Sequence, residues 1–331
     1  MEPASAPHET RTRPRAQDET PATSPSGPTK NEIVSSNLFA RIANGETPRV
    51  SREQLEPYLA RNRRSVEALL GAFRASGDDA LLAEAKEKFP GDPRLQFAAA
   101  FKSDALEERL QWLEKFKQSD PDNALANYLL AAEHSKAGRN DQALLEITAA
   151  ASKREFDNYL PDFIQNAEEA YQTGGYSAAE AKAIAGVTAL LPEQAKLKQV
   201  GVDLVELAKR YQQAGDETSA QAVLQMGLEL AHRLDGSPQI TLIQEFVGMA
   251  IERLALDAMD PNAAYGGAGQ TVKDQIEALA ARRKTCRELS AQSDRILLSM
   301  SDEDVAHYYD RIRLYGAVPA MRWVVNKSSQ P

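Results

Sequence analysis

Along most of this chain the apolar positions recur at intervals of three and four rather than two, the signature of helices with one buried face. The pattern is clearest between Asp120 and Ala150. Asp120-Pro121-Asp122-Asn123 ends one helix and caps the next, and Leu125, Tyr128, Leu129, Ala132 and His134 follow at helical spacing. Gly138-Arg139-Asn140-Asp141 turns the chain, and Ala143, Leu144, Ile147 and Ala150 form the inward stripe of a second helix. Small residues at Ala131, Ala143 and Ala150 let two antiparallel helices approach closely, while Leu130 and Ile147 fill the space between them.

Two further stretches carry the same signature. One has Leu207-Ala208, Tyr211, Gly215-Asp216, Ala220, Leu224 and Gly227; the other has Ala167, Gly174-Gly175-Tyr176, Ala179, Ala183 and Gly186. The turn glycines Gly138, Gly174 and Gly215 are 36 and 41 residues apart. On these residues the segment 120–233 resembles the tetratricopeptide repeat (TPR), a helix–turn–helix unit with a period of ~34 residues. It departs from the family at His134, where an aromatic is usual, and at Glu155, where a proline is usual. The resemblance implies an all-α, right-handed α-solenoid of antiparallel helix pairs, a TPR-like superhelix acting as a non-enzymatic scaffold for a protein or peptide. In such arrays the first helix of each pair lines the concave face. The resemblance therefore points to Tyr128, Ser135 and Lys136, then Gln165, Glu168 and Tyr171, then Glu206, Lys209 and Gln212 as partner-binding positions. At the positions where one subtype grips a terminal carboxylate stand Tyr128, Ala132, Gln165, Val202 and Glu206, which lack the needed cations.

The flanks divide by pattern. Residues 1–30 hold six of the 17 prolines and almost no large apolar side chain, so they are expected to be a disordered tail, with a short basic cluster at Arg11–Arg15. Residues 31–119 read as degenerate N-terminal hairpins, beginning with Ile33-Val34 and Leu38-Phe39. Ser51-x-x-Gln54 forms a capping box, and helices follow to about Arg61 and from Arg63 to Arg74. This pair, 51–75, with Arg61, Arg63 and Arg64, also fits a helix-turn-helix touching DNA. Phe89-Pro90-Gly91-Asp92-Pro93 resembles an inter-repeat joint, and Ser103 and Asp104 are placed to cap a helix bearing Leu106, Leu110, Leu113 and Phe116. The TPR-like region is taken as 120–235 and a C-terminal cap as 236–331. In that cap Ile240, Ile243, Val247, Ile251 and Leu254 form a stripe, and a Gly-rich joint spans 260–270. A long helix follows over 271–300, and a capping hairpin places Tyr308, Tyr315 and Trp323 inward. The long helix is expected to pack within its own chain and cap the array, because two heptads of clean seam are lacking and Arg282-Arg283-Lys284 interrupts its apolar side; pairing with a second copy is the alternative.

Composition narrows the function. A net charge of −9 opposes a large role in binding nucleic-acid backbone. The single cysteine, Cys286, permits no internal disulfide and falls on an apolar stripe. No run of ~18 apolar residues marks a membrane span and no signal peptide is evident, so a cytoplasmic protein is expected. The histidines are dispersed, Glu303 and His307 have no metal-binding companions, and Gly266-Gly267-Ala268-Gly269 has neither a preceding strand nor a following lysine. No catalytic, cofactor or metal site is therefore assigned; an all-α enzyme with a site near 260–270 is the remaining alternative.

Overall fold

The caps written into the sequence set most helix boundaries. In the computed structural model, which describes residues 42, 44, 46 and 48–329 apart from 190, 237–240 and 268, fifteen named helices and no strand occur among the described residues. The expectations for residues 1–30, Ile33-Val34, Leu38-Phe39 and Ile240 lie outside them. The helices are α1 (Arg52–Arg61), α2 (Val66–Ser76), α3 (Asp79–Lys88), α4 (Pro93–Lys102) and α5 (Leu106–Ser119). Then come α6 (Ala124–Lys136), α7 (Asn140–Ala151), α8 (Leu160–Thr173), α9 (Ala178–Val187), α10 (Glu193–Gln213) and α11 (Glu217–Asp235). The chain continues with α12 (Leu242–Leu256), α13 (Val272–Leu297), α14 (Asp302–Tyr315) and α15 (Ala317–Ser328).

Ser51 and Gln54 complete the expected capping box at α1. Asn123 accepts from the Leu125 amide at the start of α6. Its side-chain nitrogen also donates to the Asp157 carbonyl at 2.8 Å, tying the α6 entry to the segment that leads into α8. Ser103 and Asp104 are not the cap expected for α5. The Ser103 hydroxyl instead donates back to the Ala99 carbonyl at 3.0 Å, closing α4, while Arg109 Nη1 donates back to the carbonyls of Ser103 and Asp104. In the middle unit the left-handed residue is Gly175 (φ 104), not Gly174, whose missing Cβ makes room for Val50.

Helix pairing follows the hairpins, but their stacking does not follow chain order. α6 pairs with α7, and α10 with α11; α6 then packs on α10, and α7 touches α11. The hairpin between them in sequence, α8/α9, is absent from that stack: α8 packs on α2 and α1, and α9 on α14. α12 continues the stack against α10 and α11, and α13 lies on α12 and α15. Aromatic contacts join the N-terminal helices to α8: Phe97 of α4 stacks on Phe163 (6.1 Å), and Phe116 of α5 meets Tyr159 (5.9 Å).

Two further expectations for the C-terminal cap change. Ile243 is exposed, whereas Ile251 of the expected stripe is buried, Val247 and Leu254 pack against the core, and α12 also buries Met249, Ala255 and Leu256, because it is covered by α10 and α11 on one side and α13 on another. Tyr315 is exposed rather than inward, being the last residue of α14 before the Gly316 turn. The long helix buries Val272, Leu279, Cys286 and Leu297, packing on α12 and α15 of its own chain.

Candidate functional site

Where α6 and α7 meet α10, a groove of about 250 Å³ opens. Its α7 wall is apolar, with Ala143, Leu144 and Ile147, and Val200, Leu204 and Leu207 continue that floor on α10. Ser135, Asn140, Asp203, Glu206 and Arg210 supply its polar edge. The two hairpins are locked together beneath it. Glu133 of α6 is fully buried between Arg109 Nε of α5, at 2.8 Å, and Lys196 of α10. Burial alone would raise its pKa, but hydrogen bonds from Lys196 and Arg109, with their charges, hold it below the usual 4.5. Ser135 donates to the Asp203 carboxylate across the cleft, and Gln199 donates to the other oxygen of Asp203 at 2.8 Å. Glu206 and Arg210, one helical turn apart, form no ion pair among the described residues.

The sequence-derived positions thus separate. Ser135 and Glu206 line the groove, and Lys136 and Lys209 are exposed on the same two helices. Gln212 instead donates to the Ala258 carbonyl at 3.0 Å, holding α10 to the end of α12. Tyr128 and Tyr171 are not surface residues. The Tyr128 ring packs edge-on against Phe156 at 6.1 Å, and burial pushes its hydroxyl up to about 12. Tyr171 is buried against Tyr176, donates to the Pro48 carbonyl at 3.3 Å and is raised for the same reason. Gln165 is exposed and Glu168 half-buried, both on α8 and therefore apart from the α6–α10 stack. Glu168 lines a second cavity of about 250 Å³ with Lys182, Tyr309, Asp310 and Arg313. Burial raises its carboxyl, with Lys182 and Arg313 opposing. Asp203, Arg210, Leu144 and Leu207 were missed from sequence because the resemblance directs attention to one face of the first helices. The spacing of Asp203, Leu207 and Arg210 on α10 is the signal that marks them.

The alternative sites differ from expectation. α2, the second helix of the 51–75 pair, buries Leu69, Leu70, Ala72 and Ala75 and is packed by α1, α3 and α8. Arg64 is held by Glu84 at 2.5 Å and Glu56 at 2.9 Å. At the two ends of the 260–270 stretch, Val272 N donates to Ala263 O (3.0 Å) and Tyr265 N to Gln270 O (3.0 Å). Among the described residues no group of three or more His, Cys, Asp or Glu could hold a metal ion, and no helix is long and apolar enough to cross a membrane. No family model, curated protein or solved structure matches the chain.

Proposed function

We propose that this protein is a non-enzymatic helical scaffold that binds a peptide segment of a partner protein in the groove between α6, α7 and α10. In this reading α6/α7 and α10/α11 are TPR-like units of a short right-handed stack continued by α12, with α8/α9 a third unit displaced from it. One observation carries the reading: two units that resemble each other in sequence meet at a cleft with an apolar floor, and Glu206 and Arg210 at its edge have no ion-pair partner among the described residues. An apolar floor anchors a side chain, and unpaired charges of both signs set the register of a segment carrying complementary charges. The resemblance supports a scaffold role.

Peptides selected from a random library against the full chain test this. The expected binders carry an apolar anchor flanked by charge. Leu144→Asp should weaken them about tenfold or more, since a buried anchor contact carries on the order of 2 kcal/mol. Glu206→Lys should invert the preferred charge beside the anchor. Peptides that bind both variants as they bind the parent would place recognition elsewhere.

A further inference from the structure

A third cavity, of about 320 Å³, lies between α2, α4, α8 and the end of α9, away from the peptide groove. Its lining combines four phenyl rings, Phe73, Phe97, Phe101 and Phe163, with two cations, Arg74 and Lys102. The Arg74 guanidinium carbon lies 4.1 Å from the centre of the Phe163 ring. Arg74 forms no hydrogen bond and no ion pair among the described residues. Every other feature around it is settled. Lys102 is paired with exposed Asp79 at 2.8 Å, and Glu193, whose charge reaches Arg74, accepts from Asn158 at 2.8 Å and from Gln194 at 3.1 Å. Burial pulls the Arg74 pKa down from 12.5 to about 10, with Glu193 opposing, and it remains a cation at neutral pH.

A half-buried guanidinium whose donors meet no protein acceptor and stay open to solvent, at the wall of an aromatic cavity, is placed to receive an anion. We infer that this cavity binds a small organic monocarboxylate with an apolar body, its carboxylate on the Arg74 fork and its hydrocarbon part among the phenyl rings. The planar donor pair of Arg74 matches a carboxylate in bidentate fashion. The same rings could in principle hold an organic cation, but Arg74 already occupies the Phe163 face and would repel it. Inorganic anions leave the apolar lining unfilled.

Octanoate titrated calorimetrically into the full chain tests the assignment, with octanol and octyltrimethylammonium as isosteric controls. Octanoate should bind at one equivalent, octanol about tenfold or more weaker, since a hydrogen bond to a charged group contributes ~1.5–3 kcal/mol, and the ammonium not measurably. Arg74→Gln should abolish the difference between octanoate and octanol while lowering the thermal melting temperature only slightly, because the cation loses its place over the Phe163 ring and the charge of Glu193 but no hydrogen bond or ion pair. Ala98→Phe, which fills the cavity from α4, should remove binding of both. Octanoate affinity unchanged in either variant, equal affinity for all three amphiphiles, or a marked fall in the melting temperature of Arg74→Gln would overturn the proposal, the last by making Arg74 a structural residue.

Discussion

Glu133 shows how a single buried charge governs both stability and its pH dependence. Its carboxylate is enclosed with Arg109 and Lys196, so Glu133→Gln leaves two cations short of a partner and should cost about 3–5 kcal/mol in denaturant unfolding. Its folded pKa lies below the unfolded 4.5. The stabilisation is therefore complete above that value and is lost as pH falls through the folded one. Chemical melts between pH 7 and 3 should show the difference between Glu133→Gln and the parent shrinking below about pH 4.5. A constant difference would deny the pairing its electrostatic basis. Cys286 makes a second case. It is buried, its thiol donates to Glu245, and burial with that neighbouring charge lifts its pKa to about 11. A thiol-specific reagent at pH 8 should therefore label it only at the rate of unfolding, whereas fast labelling of the folded chain would contradict the burial. The inert, buried Cys286 was legible in the sequence from its place on an apolar stripe. Glu133 was not, because its partner Lys196 lies 63 residues away and nothing local marks the pair.

Helices and their ends were the most readable level. Ser51, Asn123, Asp216 and Ser301 each cap the helix that begins after them, and the period of apolar residues separates α6 from α7 without ambiguity. What periodicity hides is which charged residue on a helix works as a clasp. In α13 the Arg282-Arg283-Lys284 run reads as an interruption of the apolar side. Yet Arg282 forks onto both oxygens of Asp235, at 2.6 and 2.7 Å, and also reaches buried Glu245 at 2.9 Å, joining α13 to α11 and α12. Arg282→Leu should destabilise the fold by about 2–4 kcal/mol, mostly by leaving Glu245 without its cation, while Arg283→Leu should change it by less than ~0.5 kcal/mol. Equal effects in thermal unfolding would assign the first loss to the removal of a generic surface charge. Close approach is another property of whole elements. A Cβ on Gly186 of α9 would come within 2.2 Å of the Tyr309 ring of α14, so Gly186→Ala should cost ~1–3 kcal/mol through a forced separation of these helices.

At the level of the molecule, all-α architecture and the hairpin units could be read from the chain, but neighbour order could not. Local patterns specify which two helices pair across a short turn. They do not encode which exposed flank of a hairpin finds which other, and so the displacement of α8/α9 from between α6/α7 and α10/α11 left no periodic trace. The candidate groove follows from that displacement, since it brings α6 and α10 together and leaves Gln165 and Glu168 elsewhere. Deletion of α14 and α15 should accordingly harm residues far back in the chain. It uncovers the face of α9 that carries Lys182 and Gly186, and circular dichroism should report a broadened melt and lower midpoint for the truncated chain. An unaltered, cooperative melt would mean that α9 is held sufficiently by α8. The Lys182–Asp310 ion pair spans 128 residues, so during synthesis the α8/α9 hairpin can settle on α2 at once while its other side waits for α14 to leave the ribosome. For that interval the flank of α9 around Gly186 stands without the Tyr309 ring that covers it, which makes translation pauses between α9 and α14 the points at which a holdase chaperone would gain its longest grip on the nascent protein.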